Sequence, residues 1–80
     1  MLLKYVEAAM RHAKFEILAD DGEFYGEIPI CNGVWAQGKT LEECRKELQE
    51  VLEGWILFRV NRDLPLPIID KISLKIKEIA

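Results

Sequence analysis

The side chains able to do chemistry are few, and none stands in a pattern that chemistry requires. His12 is the single histidine, and it falls on a stretch with helical patterning. Histidine is the natural general base near neutral pH, but no serine or cysteine stands at a recognisable nucleophile elbow for it to activate. His12 therefore reads as a surface or half-buried side chain. Cys31 and Cys44 lie thirteen positions apart, with no CxxC and no second histidine, well short of a zinc signature. Cys44 falls on an apolar helical stripe and reads as a small core residue. Cys31 falls in a turn and is the more reactive of the two, though no basic neighbour in sequence favours its thiolate. Asp20, Asp21, Glu23 and Glu27 gather around one acidic turn. Carboxylates in that number can hold a divalent cation, but their spacing fits no calcium loop, and turn formation with solvated charge accounts for them. Gly22, Gly33 and Gly38 make no phosphate-cradling pattern and read as positions needing unusual backbone angles. The inventory predicts no catalytic set, no metal and no cofactor, and so no enzyme.

The bulk properties bound the rest. Eighty residues support one small domain, which buries only about 60–65% of the surface its unfolded chain exposes. Half the residues are hydrophobic and 31% are charged, a globular composition. No apolar run approaches the roughly 18 residues of a membrane-spanning helix, and Glu7 interrupts the apolar start where a signal peptide would continue. A net charge of −3 and a pI near 5.1 argue against direct binding of nucleic-acid phosphates and suit a basic partner. With two cysteines and no marks of secretion, a reduced, cytoplasmic protein is expected.

The elements that position these residues follow from period and punctuation. Residues 1–12 predict a short amphipathic helix, with Leu3, Val6 and Met10 at helical spacing. Residues 13–38 predict a three-strand meander. Phe15, Ile17 and Ala19 alternate with Lys14, Glu16 and Leu18, giving one buried face. Asp21-Gly22 favours a hairpin turn, Pro29 closes the second strand because it has no N–H for the ladder, and Asn32-Gly33 makes a second turn. Residues 40–62 predict the main helix. Thr40 to Glu43 forms a capping box, and Leu41, Cys44, Leu48, Val51, Leu52, Trp55 and Phe58 form its apolar stripe. The helix should end near Arg62, before Pro65 and Pro67 impose extended backbone. Alternation of Ile72, Leu74 and Ile76 predicts a fourth strand over residues 70–77. A right-handed crossover then gives an α+β fold, β-β-β-α-β in sheet order 3-2-1-4, with one packing helix and an extra helix at the N-terminus.

The apolar excess points to binding. Trp55, Ile56 and Phe58 make the end of the main helix apolar nearly all round, more than a small domain can cover, so an oligomer contact is expected there. Tyr25 and Trp35 share a sheet face with Leu18, opposite Phe15, Ile17 and Ile28. Aromatics exposed together mark an interface, unless the N-terminal helix covers them.

The ordered set of Gly22, Pro29, Gly33, Gly38 and the Thr40–Glu43 helix start resembles the HicB antitoxin family over residues from about Lys14 to about Asp70. The resemblance implies a partly degraded ribonuclease-H-like fold without nuclease activity. It also implies a type II toxin–antitoxin role, in which the chain neutralises a basic, mRNA-cleaving HicA-type ribonuclease by occluding it. Asp20, Asp21, Glu23, Tyr25, Glu27 and Trp35 are the expected partner-binding residues, and Trp55, Ile56 and Phe58 the expected contact of a homo-oligomer, dimer or tetramer. Many family members continue into an operator-binding domain; this sequence carries none, so direct nucleic-acid binding by the chain alone is not expected. The alternative is a stand-alone oligomeric domain of the same type with an unknown ligand and no toxin.

Overall fold

Elements follow one another in the order α1 (Leu2–Arg11), β1 (Lys14–Ile17), β2 (Phe24–Glu27), β3 (Trp35–Gly38) and α2 (Leu41–Asn61). The computed structural model describes residues 2–73. The class is α+β, and the three strands pair antiparallel in the spatial order β1-β2-β3, the predicted meander. Gly22 and Gly33 take φ of 71° and 94°, the left-handed backbone that turns favour in glycine. The first turn is wider than a two-residue hairpin. The Leu18 N–H donates to the Glu23 carbonyl at 2.7 Å, and Asp21 Oδ1 accepts the Glu23 N–H at 3.2 Å.

Register puts Phe15, Phe24, Gly26, Ala36 and Gly38 on one face of the sheet, and α2 lies across that face over β3 and β2. Two glycines set how close the helix comes. A Cβ on Gly38 would stand 2.7 Å from the Cys44 backbone nitrogen, and one on Gly26 would stand 2.7 Å from Phe15 Cε1 and 3.2 Å from Cys44 Sγ. Close approach, not an unusual φ, is therefore the reason for glycine at position 38. The Cys44 thiol completes the contact by donating to the Ala36 carbonyl at 3.7 Å. Thr40 starts the helix as expected, its Oγ1 accepting the Glu43 N–H at 3.0 Å, a cap worth about 1 kcal/mol.

The buried stripe of α2 is Cys44, Leu48, Leu52 and Ile56, recurring every four residues as a helix face must. Val51 and Trp55 flank it half-buried. Leu41 and Phe58, expected on the stripe, are exposed. Ile56, expected at an oligomer contact, is 1% exposed and belongs to the core of the single chain. Ile17 is a further correction: it shares the inner face with Phe15 but is 65% exposed, because α2 lies over β3 and β2 and stops short of β1.

The N-terminal helix packs against α2. Tyr5, Val6, Ala8, Ala9 and Met10 join Ile28, Cys31 and Val34 from the β2–β3 connection, and Ile69, in one core cluster. The chain returns to α1 after a Schellman turn at the end of α2. Asp63, at φ 55°, takes the position usually held by glycine; its N–H reaches the Val60 carbonyl at 3.2 Å and the Leu64 N–H reaches the Arg59 carbonyl at 2.8 Å. The Tyr5 hydroxyl then donates to the Pro67 carbonyl at 2.6 Å, and burial pushes that phenol up to about 12. Ile69 and Ile72 exchange hydrogen bonds of 3.0 and 2.7 Å around Asp70 and Lys71, both left-handed at φ 51° and 66°. The expected strand at 70–77 thus begins as a tight turn; residues 74–77, and with them the place of a fourth strand in the order 3-2-1-4, lie outside the described residues.

The glycine contact yields a direct test. Gly38→Ala should lower unfolding free energy in urea by about 1–3 kcal/mol through overpacking against Cys44. Gly54→Ala, with open space around it in mid-helix, should raise stability by up to about 1 kcal/mol. Equal effects at the two positions would refute the close-approach account.

Candidate functional site: the outer face of the sheet

Among the described residues, no helix lies on the opposite side of the sheet. Alternation along each strand, combined with the register, sets Lys14, Glu27 and Trp35 in one row and Glu16, Tyr25 and Gln37 in the next. Tyr25 and Trp35 therefore sit diagonally, with ring centroids 6.0 Å apart and planes 23° from parallel. Trp35 is 54% exposed. The helix α1, one of the expected covers, lies instead against α2.

Carboxylates surround the rings. The Tyr25 hydroxyl donates to Glu27 Oε1 at 3.4 Å, and Glu23 Oε1 accepts from Gln37 Nε2 at 3.0 Å. Burial, and then the negative charges of Glu27 and Glu16, push the Tyr25 phenol above its usual value. Asp20 and Asp21 extend the acidic edge at the adjoining turn. Among the described residues, the ion pairs join only Arg11 and His12 to Asp70, so none of these carboxylates is neutralised by a described cation. The structure brings together Tyr25, Glu27, Trp35 and Glu23 of the residues named from sequence, leaves Asp20 and Asp21 at the turn, and adds Glu16, Lys14 and Gln37. Period-two alternation carried the signal for those three additions.

A second apolar patch lies between the helices. Leu2, Leu3, Val6, Glu53 and Leu57 line a shallow groove, where Leu3 is 68% and Leu57 57% exposed. Phe58 adjoins it in sequence and lies under the Arg62 guanidinium, 4.7 Å from the ring centroid. Trp55 does not face outward freely: its Nε1–H donates to the Asn32 carbonyl at 3.1 Å, and Arg59 stacks 5.0 Å from its centroid. Leu3, expected with Val6 and Met10 on the packing face of α1, is instead exposed, and Leu57 belongs to the apolar end of α2 that the sequence marks as a contact; Leu2 carried no such signal.

His12 Nε2 meets Asp70 Oδ1 at 2.7 Å, with Arg11 at 3.4 Å from the same carboxylate, an arrangement that ties the end of α1 to the 69–72 turn. Cys31, expected to be the more reactive thiol, is fully buried, and that burial pushes it up to about 11; it is core, like Cys44. Among the described residues no three His, Cys, Asp or Glu side chains converge to hold a metal, and no helix is long and apolar enough to cross a membrane.

Comparison with known proteins gives consistent relatives. The model of a family described as UPF0150-like matches residues 4–67. The UPF0150 protein ssl0259 of Synechocystis sp. is 37% identical over 60 residues, which span 75% of this chain and 82% of that protein. The crystal structure of TTHA0281 from Thermus thermophilus is 40% identical and superposes with a TM-score of 0.88 over 96% of this chain and 95% of the other.

Two outcomes follow from these side chains. In the folded protein neither cysteine should react with a thiol reagent over minutes at pH 8, and both should react on adding denaturant; prompt labelling of Cys31 would contradict its place in the core. The Asp70 carboxyl is held below its ordinary 3.8, first by the His12 hydrogen bond and further by Arg11. A depressed folded-state value stabilises above the ordinary one and is lost as pH falls through the depressed one. Stability of the wild type should therefore drop across and below pH 3.8 more than that of Asp70→Asn, measured by urea unfolding at several pH values; identical acid limbs would show that the contact contributes nothing.

Proposed function

The chain belongs to the UPF0150-like family, and from that premise we propose that it is a HicB-like, antitoxin-type binding protein that neutralises a small basic ribonuclease of the HicA type by covering it. One observation carries the reading: a sheet face with two stacked aromatics, ringed by carboxylates and without a helix over it among the described residues. A face of that kind binds a cationic protein surface. The rings supply desolvated contact area and residence time, while Asp20, Asp21, Glu23 and Glu27 steer the encounter from a distance. The accompanying fold reading is a partly degraded ribonuclease-H-like unit, supported by a β-meander crossed on one face by a long helix. The reading makes the chain a cytoplasmic, non-catalytic protein that acts by occlusion.

A second reading has its own observation. The exposed Leu3 and Leu57 of the α1–α2 groove favour self-association, so a stand-alone homo-oligomeric domain of the same type is the alternative. In either reading the two surfaces are separate, and an oligomer formed through the helices leaves the outer sheet face available.

Co-expression with a neighbouring gene encoding a small basic protein tests the proposal. Growth should be rescued and a stable complex recovered. Its association rate should fall by roughly ten-fold or more between low and high salt, as steered encounters do. Reversal of Asp20 and Glu27 to lysine should slow association without unfolding the chain, since neither side chain is in the core. A rate indifferent to salt and to these reversals would overturn the steering; absence of any complex with the basic neighbour would favour the stand-alone oligomer.

A further inference from the structure

The aromatic side chains of this molecule are treated unequally by its own arginines. On α2, the Arg59 guanidinium lies 5.0 Å from the Trp55 ring centroid and that of Arg62 lies 4.7 Å from Phe58. A planar, weakly hydrated cation thus covers both of these rings, which would otherwise face water. Tyr25 and Trp35 form a stacked aromatic pair on the sheet, and no arginine of the described residues covers them. The cation that lies nearest in the register, Lys14 opposite Glu27, forms no ion pair with it among the described residues. The Tyr25 hydroxyl meanwhile holds Glu27 at 3.4 Å, which places a carboxylate at the edge of the ring pair.

We propose that the Tyr25–Trp35 pair with Glu27 is a receptacle for one arginine side chain of the basic partner. The guanidinium plane lies on the Trp35 indole, and its N–H groups donate to the Glu27 carboxylate. Glu16, in the row beside it, adds negative potential. The proposal rests on the partner-binding reading above and narrows it from a charge type to a side chain. Arginine is selected over lysine because its flat fork matches a ring face and a carboxylate together, whereas an ammonium is a compact and strongly hydrated point charge. A second copy of this chain is a poor occupant. Two such faces in contact would set Glu16, Glu23 and Glu27 of one copy against the same carboxylates of the other, and like charges so juxtaposed cost binding energy.

The test is an NMR titration of the full chain, at low salt, with capped tetra-arginine and capped tetra-lysine peptides. The two indole N–H signals are followed, and Trp55, already bonded to Asn32, serves as the internal control. Tetra-arginine should shift the Trp35 signal and bind roughly two- to five-fold more tightly than tetra-lysine, as exposed cation–π contacts allow. Trp35→Leu, at a side chain 54% exposed, should abolish that preference while leaving the fold intact. Glu27→Gln should weaken both peptides and tetra-arginine more. Equal affinity for the two peptides, or shifts confined to Trp55, would overturn the receptacle. A basic partner whose affinity is unchanged by Trp35→Leu would overturn it too, yet leave the antitoxin-type reading standing; a chain that binds neither peptide nor any basic partner would end both.

Discussion

Backbone-to-backbone contact between Gly38 and the first turn of α2 fixes the geometry of this protein. With no Cβ at Gly26 or Gly38, the helix settles directly onto β2 and β3, and Cys44 fits where a larger side chain would lift it. From that seat the four-residue spacing of Cys44, Leu48, Leu52 and Ile56 aims each buried side chain at the sheet and at α1. The small Ala8 and Ala9 let α1 join the same layer, and the segment after α2 ties it down through the Tyr5–Pro67 hydrogen bond and the His12–Asp70 contact. Interiors packed at crystal-like density respond to a single methyl group, so a Cβ at either glycine would disturb the seat of α2.

Layering on one side has a consequence on the other. The core draws on both helices, and among the described residues it contains no buried charged or polar side chain. The charge of the described chain is therefore carried at its surface, and on the outer sheet face the balance is acidic around two aromatic rings. Among the described residues, α2 crosses one face of the sheet and α1 packs against α2, so neither helix lies on the other face. Binding is the use to which such a face lends itself.

Much of this was legible in the sequence because the signals were local. The Thr40 cap, the stripe through Leu48 and Leu52, the turn glycines at 22 and 33 and the shared face of Tyr25 and Trp35 each follow from spacing within a few residues. The misreadings came from contacts that spacing does not encode. Gly38 looked like a turn residue, but its role depends on Cys44 across a tertiary contact. Ile56 looked outward because its neighbours are apolar on all sides, whereas four-residue steps from Cys44 carry it inward. Ile17 alternates as a buried residue should, yet the helix stops short of its strand. Cys31 looked reactive because it sits in a turn; that turn is folded under α1, which no local pattern announces. Asp70 and Lys71 adopt left-handed backbone without a glycine to signal it.

The central claim is that α2 covers the inner face of the sheet over β2 and β3 and that the outer face is open in the free protein. A soluble paramagnetic agent, added to the uniformly labelled full chain over a range of protein concentrations, measures it directly through side-chain relaxation. The account predicts strong enhancement at Trp35, Gln37 and Glu16, weak enhancement at Ala36 and Leu48, and the same contrast at every concentration. Protection of Trp35 equal to that of Ala36 would mean that the outer face is already occupied, and would contradict the account.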